Sequence, residues 1–132
     1  MPVQLWTKFV FICAFSGVTS LARRPIGAIL QYPETAELYR RVMEETAAVD
    51  RARGVAIPND CVENWIRLSR TLNPGAYGSM YYDLASERRM EVDSLNGCVV
   101  RLGQKAGVAT PLNFAVQAAL KPYEDGVHQS LA

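Results

Sequence analysis

Residues whose types could do chemistry are few in this 132-residue sequence, and Lys8 is the most conspicuous. It borders an apolar run, Phe9-Val10-Phe11-Ile12-Cys13-Ala14-Phe15. A lysine ammonium is a compact cation whose pKa responds to burial, so it could counter negative charge developing on a substrate oxygen. A lone lysine in a helix is more commonly a snorkelling side chain on a solvated face. The three cysteines, Cys13, Cys61 and Cys98, are far apart, odd in number and without metal-ligand spacing. They read as reduced, mostly buried thiols of a cytoplasmic protein. His128 is the single histidine and lies in a polar tail, which argues against a histidine-based triad or a histidine-rich metal site. Taken alone, Glu91 reads as a carboxylate facing the positive end of a helix, and Ser79 as an exposed helix residue.

The elements that must position these residues read as helical. The first runs from about Gln4 to the Gly17 region, with Trp6, Phe9, Val10 and Cys13 at helical spacing. Phe11, Ile12 and Phe15 make it apolar nearly all round, the mark of a central, buried helix. Pro25 and Gly27 punctuate a short segment that ends near Gln31. Pro33 suits a first helical turn, Ala36, Tyr39, Val42, Met43 and Thr46 form one face, and Gly54 is a left-handed cap. Pro58 and Asn59 open another helix, Asp60 and Glu63 have capping-box spacing with Asn59 as the alternative cap, and Asn73-Pro74-Gly75 breaks it. Two more helices are expected, from about Ala76 to Ser86 and from about Met90 to Ala106, the second ended by Gly107. Thr110-Pro111 is a cap and first-turn proline for a last helix to about Tyr123, with 125–132 a flexible tail. No long stretch alternates apolar and polar residues, so the prediction is one all-α domain over 1–124, a compact bundle of about six to seven helices.

Bulk properties narrow the classes. Apolar residues are 49% and charged residues 20%, an ordinary globular composition. A net charge of +1 with interspersed signs gives no basic stripe for nucleic acid. Lys8 and the run after it resemble a signal peptide, with small residues near Ser20 and Ala22, but the run is short for a membrane span of about 20 residues.

Three stretches together resemble the ketopantoate reductase (2-dehydropantoate 2-reductase) family. The first is Trp6-Thr7-Lys8-Phe9-Val10, continuing to Thr19 and Arg24-Pro25-Ile26-Gly27. The second is Ser79-Met80, Asp83-Leu84 and Glu91-Val92-Asp93-Ser94-Leu95-Asn96-Gly97. The third is Val99-Val100-Arg101-Leu102-Gly103 with Gly107-Val108-Ala109-Thr110-Pro111-Leu112-Asn113. Their order and spacing match that family's helical C-terminal domain (6-phosphogluconate dehydrogenase C-terminal-like) over nearly the whole chain. The resemblance implies that the apolar first helix is core rather than a signal peptide. It also implies that Lys8 stabilises and protonates the carbonyl oxygen of a 2-keto acid, that Glu91 holds lysine and substrate in place, and that Ser79 hydrogen-bonds the substrate. Two family positions that commonly hold asparagine are Ile12 and Ser16 here. Ser16 is a shorter substrate-binding side chain and Ile12 cannot hydrogen-bond, which bears on the substrate. Asn96 is expected to be structural, and no role is assigned to Asn113.

The resemblance further implies NADPH held on a Rossmann domain, reduction of a 2-keto acid in the pantothenate pathway, a homodimer and a cytoplasmic protein without nucleic-acid or membrane partners. This sequence contains neither Gly-x-Gly-x-x-Gly nor a βαβ pattern. The expected activity therefore requires a Rossmann domain in cis or in trans, and the chain alone should be inactive and bind NADPH weakly at best. The alternative is a non-catalytic helical oligomerisation module derived from the reductase.

Overall fold

The computed structural model describes residues 2–126. His128 and most of the expected tail lie outside the described residues. Seven α-helices occur among them: α1 Val3–Ala22, α2 Ile26–Gln31, α3 Pro33–Ala52, α4 Cys61–Ser69, α5 Ser79–Ala85, α6 Asn96–Ala106 and α7 Pro111–Leu120, followed by a 3-10 turn over Lys121–Tyr123. No strand occurs among the described residues, and the all-α expectation holds.

α1 is the axis of the bundle. It packs most extensively against α3 and also meets α2, α4, α5 and α7. Val10, Ala14 and Val18 are fully buried in one cluster with Tyr39, Val42, Met43 and Ala47 of α3, and Cys13 is fully buried in a second with Val49 and Val99. By length and composition α1 could span a membrane, but this burial against its neighbours accounts for its apolar character. Burial also pushes the Tyr39 hydroxyl up to about 12, and that hydroxyl and Ser69 Oγ are 2.7 Å apart.

Several expected boundaries are corrected. α1 does not stop at Gly17 but runs on to Ala22, with Arg23 left-handed at φ 56°. Gly17 is there for close approach: a Cβ would lie 2.9 Å from Asn96 Oδ1 and 3.0 Å from Val116 Cγ1. The helix expected from Met90 starts at Asn96 instead. The 91–95 segment is a turn in which the Ser94 and Leu95 amides both donate to the Glu91 carbonyl, at 3.1 Å each. α5 begins at Ser79 rather than Ala76, because 74–76 straps onto α2: Ile26 N–H donates to Ala76 O at 2.8 Å and Gly27 N–H to Pro74 O at 2.9 Å.

Capping differs from expectation too. Neither Asp60 nor Thr110 makes a side-chain cap hydrogen bond. Glu63 pairs with Arg40 across to α3 instead. The α7 amides are met from a distance: Glu45 of α3 accepts from Leu112 N–H at 2.9 Å and from Asn113 N–H at 3.0 Å. The same carboxylate accepts from Asn113 Nδ2 at 3.0 Å, and Asn113 Oδ1 accepts from Asn96 Nδ2 at 3.0 Å. Asn96 Nδ2 also reaches the Cys13 carbonyl at 3.2 Å. This buried chain of polar groups ties α1, α3, α6 and α7 together, with Asn96 in the structural place expected for it.

Candidate active site

Lys8, Ile12 and Ser16 lie four residues apart on α1, so the helical repeat puts them in one row on one face. Along this row the chain passes from solvent to core. Lys8 is exposed, Ile12 half-buried, and Ser16 only 3% exposed. Lys8 makes no ion pair among the described residues, so its ammonium is presented to solvent without a counter-charge.

Ser79 is brought to this row by the preceding glycine. Gly78 N–H donates to Thr19 Oγ1 at 3.1 Å, and the 74–76 strap on α2 holds the same loop from behind. A Cβ on Gly78 would lie 2.4 Å from Ser16 Cα and 2.5 Å from Ser16 Oγ, so only glycine lets the backbone lie so close. Ser79 is the first residue of α5 and is exposed. The structure thus places Ser79 at the upper end of the Lys8 row, while Ser16 is covered by Gly78 and does not face solvent.

Glu91 is exposed on the turn before α6, not on the first turn of a helix. Its neighbour Val92 is fully buried and anchors the turn. No hydrogen bond or ion pair joins the Glu91 carboxylate to Lys8 or Ser79 among the described residues. Among the sequence-predicted residues, Lys8 and Ser16 lie in one row of α1, Gly78, the residue before Ser79, lies against Ser16, and Glu91 stands on the turn before α6.

Sequence reasoning missed the flank of this face. Trp65 of α4 lies along α1, its Nε1–H donating to the Thr7 carbonyl at 2.8 Å. The Trp65 ring stacks on Phe11 at 4.8 Å between centroids, and Phe11 stacks on Phe15 at 5.1 Å. Nothing in the sequence connects Trp65 to Thr7, 58 positions away.

At the first turn of α1, Arg53, which caps the C-terminal end of α3, sits over the Trp6 ring at 4.5 Å and lies 3.5 Å from Asp50 Oδ1. Asp50 is 1% exposed, and its Oδ2 has no hydrogen-bond partner among the described residues. Loss of solvent pushes its carboxyl up from 3.8 to about 6, and Arg53 opposes that rise. Cys13 and Cys61 are buried with thiols pushed up by burial, and Cys98 is half-buried. No group of three or more His, Cys, Asp or Glu side chains suited to a metal occurs among the described residues.

Concave surfaces near Arg23 and Tyr81, between α3 and α4, and near Val108 and Phe114 are not lined by Lys8, Ser16, Ser79 or Glu91. Lys8 and Ser79 are exposed and Ile12 is half-buried. No strand leading into a glycine-rich helix start, the usual phosphate-binding turn for a dinucleotide, occurs among the described residues.

The apolar helix α1 and the equally long α3 are surrounded by five shorter helices, and α1 presents one exposed lysine, Lys8. The match to the family described as ketopantoate reductase PanE/ApbA C terminal spans residues 3–124, and the chain belongs to that family. The 2-dehydropantoate 2-reductase of Caulobacter vibrioides is 36% identical over 117 residues, covering 89% of this chain and 40% of the relative. A PanE/ApbA family ketopantoate reductase from Ralstonia eutropha superposes with a TM-score of 0.84 at 34% identity, covering 92% of this chain and 40% of that one. A ketopantoate reductase from Staphylococcus aureus, described as dimeric, shares the fold with a TM-score of 0.85 at 22% identity, covering 92% of this chain and 42% of that one. The chain spans about 40% of the length of the relatives it matches.

Proposed function

We propose that the chain is the substrate-binding and catalytic wall of a 2-keto acid reductase of the ketopantoate reductase type, working with a nucleotide-binding domain in cis or in trans. The observation that supports it best is Lys8, an exposed ammonium without a counter-charge on the axial helix, in one row with the turn that carries Ser79. As the substrate carbonyl carbon is reduced, negative charge grows on its oxygen. The Lys8 ammonium counters that charge and passes a proton to the oxygen, completing the 2-hydroxy acid. Ser79 Oγ hydrogen-bonds the substrate. Ser16 acts at one remove, by seating Gly78 and so fixing where Ser79 stands. Glu91 meets the substrate or Lys8 once the opposite wall closes the cleft, since apo geometry in such sites is looser than in the complex. NADPH belongs to the other domain. The reading also includes a cytoplasmic homodimer.

The test is keto-acid-dependent NADPH oxidation. It is assayed with the full chain alone, and with the full chain joined behind the part of the Caulobacter reductase that lies N-terminal to the matched region. Turnover is expected only in the joined protein. Its absence there sinks the proposal, and turnover by the chain alone refutes the assignment of NADPH to another domain.

A second reading, a helical oligomerisation module, draws on Leu5 at 52% and Phe114 at 50% exposed. It predicts a stable dimer that does not bind 2-keto acids. A monomer by light scattering at micromolar concentration removes it.

A further inference from the structure

We infer that this site takes 2-keto acids with an apolar side chain, and that Ile12 together with the Phe11–Phe15–Trp65 ladder is the surface that selects them. The inference rests on the Lys8 face being the keto-acid site. Between Lys8 and the turn that carries Ser79, the row on α1 offers Ile12, which has no hydrogen-bonding atom in its side chain. Ser16, the next residue of the row, is 3% exposed beneath Gly78 and cannot reach a ligand.

The adjacent row of α1 is Thr7, Phe11 and Phe15, and it is faced by Trp65. The Trp65 indole N–H is already used on the Thr7 carbonyl at 2.8 Å, so the ring adds only apolar surface to the flank. Phe11, Phe15 and Trp65 are half-buried, stacked at 5.1 and 4.8 Å, and still part-open to solvent. A keto acid whose carbonyl oxygen meets Lys8 and whose other end reaches Ser79 would lay its side chain over Ile12 and against this ladder. A side-chain hydroxyl there would lose its water and gain no partner, whereas an alkyl or aryl group would gain contact area.

The joined protein is assayed with two acids that differ only by a hydroxyl, ketopantoate and trimethylpyruvate. The expected result is a kcat/KM higher for trimethylpyruvate by about 10- to 100-fold, the range in which an apolar pocket rejects an added hydroxyl. Ile12→Asn should move the ratio toward ketopantoate by about tenfold or more, and Ile12→Thr carries the same test if the asparagine variant does not fold. Equal or greater kcat/KM with ketopantoate in the unsubstituted protein overturns the inference and leaves the reductase reading intact. A ratio unmoved by either substitution also overturns it. Turnover with neither acid fails the reductase reading itself and takes the inference with it.

Discussion

A single buried carboxyl sets the most specific expectation at the residue scale. Asp50 holds its proton more tightly folded than unfolded, because desolvation lifts its pKa from 3.8 to about 6. Between those values the folded chain binds more protons than the unfolded chain, so stability from this group is lost as pH rises from about 4 to about 6. The full difference corresponds to about 3 kcal/mol. Urea denaturation of Asp50→Asn should show the variant gaining on the unsubstituted chain across that window; a constant difference from pH 4 to 7 would contradict the assignment. The same scale separates what was legible in the sequence from what was not. Lys8, Ile12 and Ser16 share a face by spacing alone. That Ser16 is buried was not legible, because its cover is Gly78, 62 positions away and held there by a strap on α2.

Elements are joined here by groups that reach across the bundle. Glu45 takes two α7 amides and the Asn113 side chain, a role local sequence assigns to Thr110. Replacing Glu45 by Ala removes these bonds at a part-buried helix end, and a loss of about 1–3 kcal/mol is expected in denaturant unfolding. A change below about 0.5 kcal/mol would mean that water replaces the carboxylate without cost. Gly78→Ala tests the seat of Ser79. Its Cβ, 2.4 Å from Ser16 Cα, must push the 78–79 turn off α1, so kcat/KM of the joined protein should fall at least tenfold. Unchanged kinetics would show that Ser79 needs no such placement. The helix existence and order were readable from proline, glycine and apolar spacing, and Gly54 and Gly107 end their helices at φ 87° and 73° as expected. The start of α6 was not. Val92, Leu95 and Val99 have helical spacing, yet Val92 is buried from a turn, so the apolar pattern reports burial and not helix.

For the whole molecule, the described residues pack as helices around α1, with two buried apolar clusters and Lys8 exposed. It matches relatives about two and a half times its length, so the catalytic claim concerns how this wall works against another. The most direct measurement is keto-acid-dependent NADPH oxidation by the joined protein with and without Lys8→Ala. Lys8 is exposed and unpaired, so the variant should melt within experimental error of the unsubstituted protein. The account predicts that kcat falls by about 10²- to 10⁴-fold, the usual loss of a general acid. A Lys8→Ala protein that keeps both its melting temperature and its kcat would contradict the assignment of proton transfer to this face of α1.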